Sequence, residues 1–177
     1  MGFLDPESVV YMLSLKPGQK VVDFGCGSGR YSIPMAKAVS PNGKVYAIDI
    51  QDMLVHTTEN ESRREGIQED VVVGVVADLE KEGSTNIKDQ SIDLVLISNT
   101  LFLVDKKENL VKEASRILKN NARLVVIDWV DSFSGLGPPS DMLVLQEEVV
   151  DMAEKYGLSF YREYPPSAHH YILEFRK

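Results

Sequence analysis

A glycine-rich turn follows the first strongly apolar segment of the chain. Residues 21–24 are Val-Val-Asp-Phe, and Gly25, Gly27 and Gly29 follow at every second position. Glycine lacks a Cβ atom, so a ligand can approach this backbone closely and the chain can adopt turns that other residues resist. A helix that starts after the turn would add free N–H groups and the positive end of its dipole. The pattern is typical of a nucleotide-type pocket, although the dinucleotide fingerprint G-x-G-x-x-G needs a third glycine where this chain has Arg30.

Three aspartates, Asp23, Asp49 and Asp78, lie at the ends of the first three predicted strands. Because the carboxyl ends of parallel strands meet at one edge of a sheet, we expect these side chains to lie close together. A carboxylate at the end of the second strand, ~20 residues beyond the glycines, is placed to accept hydrogen bonds from ribose hydroxyls. Two alternatives stay open: Asp23 would only stabilise its own turn, and Asp78 would cap the segment that follows it.

Strands alternate with helices along the chain. Periodicity and turn residues predict strands at residues 20–24, 44–49, 71–77, 92–97, 123–130, 158–164 and 169–175. The alternation implies a doubly wound, mostly parallel sheet with helices on both faces. The connection before the last strand is too short for a helix, so this strand pairs antiparallel to its neighbour. The predicted fold is therefore an α/β domain with a seven-stranded sheet and a C-terminal antiparallel hairpin strand.

Several helix boundaries can be predicted from capping residues. Asp5 caps a short N-terminal helix within residues 1–17, and Pro34 delays the helix that follows the glycine turn. Asp105 begins a capping-box pattern, and the last helix is expected at residues 141–156. We expect residues 1–177 to form one domain, with the loop at 131–140 as a possible lid.

Composition limits the classes of function. The 177 residues fit one domain with a substantial core, and the formal net charge of -8 argues against an extensive nucleic-acid surface. The single cysteine, Cys26, cannot form an internal disulfide, which favours a cytoplasmic location. No stretch approaches the ~20 apolar residues of a membrane span. The oligomeric state stays open.

Five motifs together carry a resemblance to a known family. They are V-V-D-F-G-C-G-S-G at 21–29, I-D-I at 48–50, V-A-D-L at 76–79, D-L-V-L-I-S-N at 93–99 and R-I-L-K-N-N-A-R-L-V-V at 116–126. With the closing hairpin, this set resembles the class I S-adenosylmethionine-dependent methyltransferases over nearly the whole chain. The family has Pro-Gly where this chain has Asn120-Asn121, but asparagine tolerates a left-handed turn.

The resemblance implies S-adenosylmethionine as the cofactor, S-adenosylhomocysteine as its product, and no metal ligands. Asp49 would take the ribose hydroxyls, Asp78 the adenine amino group, and the Ser98 carbonyl would approach the methionine amino group, which Asp23 would help to orient. The implied cofactor-binding residues are Asp23, Gly25, Cys26, Gly27, Gly29, Asp49, Ile50, Met53, Asp78, Leu79 and Ser98.

Some of these residues have plainer alternatives. Cys26 is expected to be a small packing residue rather than a nucleophile, because free cysteines are usually buried. Ile50 and Met53 would cover the ribose and adenine, or else belong to the core.

The acceptor side is less well determined. Many small-molecule relatives carry a His pair after the fourth strand, where this chain has Phe102-Leu103. The candidate catalytic residues are Asn99, Asp128, His169 and His170, and the rim would include Trp129 and the loop that contains Phe133. Histidine is the residue type that ordinarily changes charge near neutral pH, so we expect one of these two to contact the acceptor. The alternative is that both are ordinary edge residues of a strand.

These features predict methyl transfer from S-adenosylmethionine to a small-molecule acceptor. The alternatives are an RNA or protein methyltransferase and a non-catalytic S-adenosylmethionine-binding module; an NAD-binding domain fits least. Arsenic methylation is disfavoured because the chain has only one thiol, and similarity to quinone C-methyltransferases is general.

Overall fold

The computed structural model describes residues 4–132, 137–165 and 167–177. The helices are α1 (Pro6–Leu13), α2 (Ser32–Val39), α3 (Asp52–Arg64), α4 (Lys107–Ile117) and α5 (Gln146–Lys155). The strands are β1 (Lys20–Phe24), β2 (Lys44–Asp49), β3 (Val72–Val76), β4 (Ile92–Ser98), β5 (Leu118–Trp129), β6 (Ser159–Glu163) and β7 (His170–Arg176). Short 3₁₀ turns lie at Leu101–Leu103 and Ser140–Met142. None of the helices in these ranges is long and apolar enough to cross a bilayer.

The seven strands form one sheet in the order β3-β2-β1-β4-β5-β7-β6. Strands β1 to β5 pair in parallel, whereas β7 is antiparallel to both β5 and β6. The predicted fold class, including the antiparallel hairpin strand, is confirmed. The strand order reverses between β1 and β4, and ligands of doubly wound sheets bind beyond the carboxyl ends of the strands at such a point. Since β6 runs parallel to β5, the β6–β7 turn lies at this same edge, as predicted.

The core consists of two apolar clusters, one on each face of the sheet. Val22, Ile97 and Val126 belong to the cluster beneath α4 and α5, and Leu96 and Ile127 to the one beneath α1 and α2. Neighbouring residues of a strand point to opposite faces, so the buried runs in β4 and β5 supply both clusters. Burial on both sides fixes the register of the strands and therefore the positions of the polar residues that follow them.

The capping predictions are partly confirmed. Asp5 caps α1, since its Oδ2 accepts a hydrogen bond of 2.9 Å from Ser8 N, and α2 begins at Ser32 with Pro34 in its first turn. The capping box at Asp105 is wrong, because Lys106 is the cap residue and its N–H donates to Glu80 Oε2 at 2.9 Å. The start of α4 is thus bound by Glu80, a residue distant in sequence, rather than by a local capping box.

The last helix is shorter than predicted. It begins at Gln146 rather than at residue 141, and the intervening chain forms the 3₁₀ turn and an extended segment. The buried Tyr171 hydroxyl donates to Val144 O at 3.0 Å, so this segment is held against the sheet by its backbone. The proposed lid at 131–140 includes residues 133–136, among them Phe133, which lie outside the described residues, so the lid stays a prediction.

Asn121 adopts the left-handed conformation that its sequence position suggested, with φ of 63°. It lies near the start of β5, and its N–H donates to Lys177 O at 2.8 Å. Asparagine at this position therefore adopts the left-handed conformation that glycine takes up most easily.

We expect Asn121→Ala to lower the free energy of unfolding by about 1 kcal/mol, because alanine pays a steric cost in the left-handed region. Asn121→Gly should be close to neutral. Urea denaturation measures both, with the exposed Asn120→Ala as the control. Equal losses for alanine at 120 and 121 would contradict this explanation.

Candidate active site

The glycine turn is fixed to β2 by its own backbone. The N–H groups of Gly25 and Cys26 both donate to Ile48 O, at 2.8 and 2.9 Å. Gly25, Gly27 and Gly29 have φ angles of 75°, 52° and 85°, which other residues rarely adopt. The turn therefore continues directly from β1 and lies at the switch point of the sheet.

The three glycines serve different purposes. A Cβ atom on Gly25 would lie 2.3 Å from Thr100 Oγ1, and one on Gly29 would lie 3.0 Å from the Thr58 side chain. A Cβ on Gly27 would meet no protein atom within 4 Å. Gly25 and Gly29 are thus required by close packing within the protein, whereas Gly27 faces open space at the edge where a ligand is expected.

Two threonines hold the turn, and no local sequence pattern marks either of them. Thr58 Oγ1 donates to Gly27 O at 3.1 Å, and Thr100 Oγ1 lies 3.1 Å from Phe24 O and 3.0 Å from Ser98 O. Both are buried and come from other elements, α3 and the segment after β4. Such partners become visible only once the fold brings distant segments together.

Asp49 connects the glycine turn to the start of α3. Its Oδ2 accepts a hydrogen bond of 3.0 Å from Gly27 N, and its Oδ1 accepts one of 3.0 Å from Gln51 N. The residue is 8% exposed. A carboxylate oxygen accepts more than one hydrogen bond, so both oxygens keep lone pairs for a donor from a ligand.

Asp23 is buried behind the turn, where its Oδ2 accepts a hydrogen bond of 2.6 Å from Ser32 Oγ at the start of α2. Burial raises the pKa of Asp23 to about 6; the hydrogen bonds from Ser32 limit this rise, and the nearby Asp49 carboxylate adds to it. The hydrogen bond from Ser32 therefore supports the alternative role for Asp23, in which it stabilises its own turn.

The third aspartate is engaged locally. Asp78 Oδ1 accepts a hydrogen bond of 3.1 Å from Glu80 N, and its Oδ2 lies 3.2 Å from Lys81 Nζ. These contacts match the alternative in which Asp78 caps the segment that follows it. The hydrogen bonds from Lys81 and Glu80 lower the pKa of Asp78. Leu79 beside it is buried in the core.

Ile50 and Met53, in contrast, are not core residues. They follow Asp49 and are 62% and 71% exposed. Two large apolar side chains exposed beside a polar cradle are available to cover a ligand.

Cys26 is a packing residue, as expected. It is buried in the cluster beneath α1 and α2. Burial, together with the charge of Asp23, raises the pKa of its thiol to about 12, so the thiolate form that a nucleophile needs is scarce at neutral pH.

Three buried polar atoms at the carboxyl ends of β4 and β5 lack a hydrogen bond of ordinary geometry within the described residues: Ser98 Oγ, Asn99 Oδ1 and Asp128 Oδ2. Buried polar atoms normally have partners, and two of these three lie near groups that can serve as one, the Tyr31 phenol for Ser98 and the backbones of Leu101 and Phe102 for Asp128. Ser98 lies near the Tyr31 phenol, and Asn99 has φ of 53°. Asn99 N donates to Ile127 O at 2.8 Å, which places it beside Asp128.

Asp128 is 1% exposed, and its Oδ1 accepts a hydrogen bond of 2.9 Å from Trp129 N. Burial raises the pKa of Asp128 to about 6, while the backbones of Trp129, Leu101 and Phe102, which face the carboxylate, limit the rise. A carboxylate of this kind exchanges a proton more easily near neutral pH than an exposed one.

The structure separates the two candidate histidines. His170 is buried, its ring lies 4.1 Å from the Trp129 ring between centroids, and its Nδ1 lies 3.4 Å from Ser167 Oγ. Burial, with a smaller effect of the neighbouring His169, lowers the pKa of His170 to about 4. His169 instead places its Nδ1 2.8 Å from Asp131 Oδ1, a contact that the sequence did not suggest.

A family model described as a methyltransferase domain matches residues 15–174. The chain belongs to the methyltransferase-domain family. The resemblance inferred from the five motifs is therefore confirmed, and the matched region runs from the residues before β1 to β7.

Known proteins similar to this methyltransferase domain act on different acceptors. A demethylmenaquinone methyltransferase of Lactobacillus johnsonii is 27% identical over 119 residues, which are 66% of this chain and 46% of that protein. An arsenite methyltransferase of Homo sapiens is 30% identical over 112 residues, 61% of this chain and 30% of that protein. The chain thus spans about half the length, or less, of these curated relatives.

A crystal structure of a SAM-dependent methyltransferase from Aquifex aeolicus covers more of the domain. It is 27% identical, has a TM-score of 0.84, and covers 97% of this chain and 88% of its own. That protein is an S-adenosylmethionine-dependent enzyme, and S-adenosylmethionine is the cofactor expected for this chain.

We expect Asp49→Asn to weaken the binding of S-adenosylhomocysteine at least about 10-fold, because charged hydrogen-bond partners contribute about 1.5–3 kcal/mol. The asparagine oxygen can still accept one of the two backbone hydrogen bonds, so the fold should persist. Isothermal titration calorimetry measures the affinity, with the exposed Asp52→Asn as a matched control. Equal affinities for the two variants would exclude Asp49 from the binding site.

The raised pKa of Asp128 also has a consequence for stability. In the folded chain the pKa of Asp128 is about 6, above the reference value of 3.8, so the folded chain binds this proton more tightly than the unfolded chain. The stability that the bound proton contributes is therefore lost as the pH rises from 3.8 to about 6. The Asp128→Asn variant should therefore gain up to about 3 kcal/mol relative to the wild type between about pH 4 and pH 7. Denaturation at several pH values measures the difference in the free energy of unfolding between variant and wild type. The exposed Asp105→Asn is the control, for which this difference should not depend on pH. A difference that does not change with pH for Asp128→Asn would contradict the raised pKa of Asp128.

Proposed function

We propose that the protein is an S-adenosylmethionine-dependent methyltransferase that acts on a small-molecule acceptor. The observation that carries the proposal is the cradle formed by Asp49 and the glycine turn, where a buried carboxylate holds Gly27 N at 3.0 Å. This cradle lies at the carboxyl edge of the sheet, where the strand order reverses.

The adenosine half of the ligand fits the residues present. The space beside Gly27, which a Cβ atom would enter, leaves room for the ligand. Asp49 retains lone pairs for the ribose hydroxyls, and the exposed Ile50 and Met53 would cover the ribose and adenine. Asp78, with the backbone of Leu79, would take the adenine amino group if it exchanged its contact with Lys81.

The methionine half fits the unpaired polar atoms at the end of β4. An ammonium group carries only donors, and Asn99 Oδ1 is a buried acceptor without a hydrogen bond of ordinary geometry in the described chain. We assign the ammonium group to the region of Ser98 and Asn99, with Asp23 orienting it from behind the glycine turn. Gly25, Cys26 and Gly29 would shape this side of the pocket.

When bound, S-adenosylmethionine supplies a methyl group on a sulfonium, which is already a good electrophile. The residues of the chain then have to hold the acceptor in line with the methyl group and exclude water. Asp128, with its raised pKa, lies beside Asn99 and would act there as an acceptor of hydrogen bonds or of a proton.

Three observations favour a small acceptor. The net charge of -8 opposes broad contact with nucleic acid, and the relatives of the chain include a demethylmenaquinone and an arsenite methyltransferase. Leu103 and Val130, just beyond β4 and β5, expose apolar side chains at the rim. Arsenite suits this chain less well, because its one cysteine, Cys26, is buried and has a raised pKa.

Calorimetry with S-adenosylmethionine, S-adenosylhomocysteine and NAD tests the cofactor class. We expect both sulfur ligands to bind and NAD not to bind, because Arg30 breaks the dinucleotide fingerprint. Binding of NAD alone would overturn the proposal.

A transfer screen with methyl-labelled cofactor then tests the acceptor class, with small molecules, RNA and a protein lysate as separate arms. We expect label in the small-molecule arm. Label only in RNA or protein would favour a macromolecular acceptor, and cofactor binding without label in any arm would favour a non-catalytic module.

A further inference from the structure

The connection between β3 and β4 contains no helix. Residues 77–91 form turns and extended segments, although the crossover connections of a parallel sheet normally place a helix on its face. Connections of this length without secondary structure are uncommon in compact domains, and they are usually either functional or disordered. The hydrogen bonds of this connection decide between the two.

The second half of the connection is bonded to α4. Thr85 Oγ1 donates to the buried Glu113 carboxylate and accepts a hydrogen bond of 3.3 Å from Ile87 N. Further along, Ser91 N donates to Ile117 O at 2.8 Å. This part of the connection is therefore ordered and attached to α4 at two places.

A cavity of about 350 Å³ lies between this part of the connection and the sheet. Tyr46 of β2 and Val75 of β3 line it from the sheet, and Ile87 lines it from the connection. Tyr46 and Val75 are only partly buried against the core cluster beneath α4 and α5, so they leave apolar surface towards the cavity. The volume is at the lower end of the ~300–1,000 Å³ range of small-molecule sites.

The polar part of the lining is basic. Lys20, at the start of β1, and Lys88, in the connection, both line the cavity with the exposed Asn86, and no aspartate or glutamate does. In the described part of the chain neither of these lysines has an ion pair, whereas Lys112 and Lys119 pair with carboxylates at 2.6 and 2.7 Å. Two ammonium groups without a counter-charge therefore border one cavity of an acidic protein.

The acids closest to these two lysines in sequence already have other partners. Asp93 Oδ1 lies 2.7 Å from Lys119 Nζ, and its Oδ2 accepts a hydrogen bond of 2.8 Å from the backbone N–H of Lys20. Asp89 pairs with Arg116. An anionic group on a ligand would supply the missing counter-charge.

We propose that this cavity is a second ligand site, for a small organic anion with an apolar ring. The ring would lie against Tyr46, Val75 and Ile87, and the anionic group would lie near the ammonium groups of Lys20 and Lys88. The assignment does not depend on the proposed methyltransferase function.

The site is separate from the proposed cofactor pocket. Lys20 is the first residue of β1, whereas the glycine turn follows the last residue of that strand. Tyr46 precedes Asp49 in β2 by roughly 10 Å of extended chain. A ligand in this cavity therefore contacts the middle and amino ends of strands whose carboxyl ends form the cofactor pocket.

Three compounds with one carbon skeleton and different charges test the proposal: cinnamate, cinnamamide and cinnamylammonium. Proton–nitrogen NMR of the full chain reports both the affinity of each compound and the residues that it contacts. We expect cinnamate to bind with a Kd of about 1 mM at low ionic strength. The neutral amide should bind about 5-fold more weakly and the ammonium compound more weakly still, because each exposed ion pair contributes little. The largest shifts with cinnamate should occur at Tyr46, Val75 and residues 85–91.

Lysine variants test the charge assignment. Lys20→Gln and Lys88→Gln should each weaken the binding of cinnamate by about 3-fold and leave that of cinnamamide unchanged. The double variant should bind both compounds equally. Lys16→Gln is the matched control, because Lys16 is also exposed but does not line the cavity.

A larger side chain on the sheet tests the apolar part of the site. Val75→Phe should fill the cavity and weaken both cinnamate and cinnamamide by about 10-fold or more, because the ring loses its place. The control is Val76→Phe, since Val76 is 52% exposed and neighbouring residues of a strand point to opposite faces.

Four results would overturn the proposal. They are an absence of saturable shifts with cinnamate, equal affinities of the wild type for cinnamate and cinnamamide, an equal loss in Lys16→Gln, and an equal loss in Val76→Phe. Shifts at Gly27 and Asp49 instead of Tyr46 and Ile87 would also overturn it, because they would place the ligand in the cofactor pocket.

Discussion

The hydrogen bonds of the Asp49 carboxylate hold together the segments that make the pocket. One oxygen binds the glycine turn through Gly27 N, and the other binds the start of α3 through Gln51 N. The carbonyl of Asp49 also accepts a hydrogen bond of 3.0 Å from Ala77 N, at the end of β3. Asp49 therefore contacts three chain segments, and its carboxylate retains lone pairs for a ligand.

The rest of the domain keeps this arrangement in place. Strands β1 and β4 are buried on both faces, so their register is fixed by the two apolar clusters. Thr58 and Thr100 fill the positions that side chains on Gly29 and Gly25 would occupy, which leaves Gly27 as the glycine that faces open space. Two of the three glycines of the turn are thus needed for packing within the protein, and the third faces the edge where the ligand is proposed to bind.

Much of the fold was predictable because it follows from local pattern. Alternating apolar strands and helices determined the sheet, and the short connection before β7 determined its antiparallel strand. The positions of Asp23, Asp49 and Asp78 followed from the strand ends. Contacts between distant segments were not predictable in this way: Lys106, the cap residue of α4, donates its N–H to Glu80, and Ser32 is the partner of Asp23.

The acceptor side shows the same limit more clearly. The sequence placed His169 and His170 at the correct edge, but it could not distinguish them. Their difference arises from burial against Trp129 for one and from the Asp131 carboxylate for the other. Both causes are tertiary, and residue types alone do not reveal them. The residues proposed to bind the cofactor were therefore recognisable from motifs, whereas the candidates for the acceptor side can be distinguished only by their tertiary packing.

The cradle of Asp49 and the glycine turn is the proposed binding site for the adenosine of the methyl donor. A crystal structure with S-adenosylhomocysteine would test this site directly. We expect the ribose hydroxyls on the Asp49 carboxylate, the ligand passing over Gly27, and the methionine end beside Ser98 and Asn99. Density for the ligand at any other place on the domain, with Asp49 still bound only to Gly27 and Gln51, would contradict it.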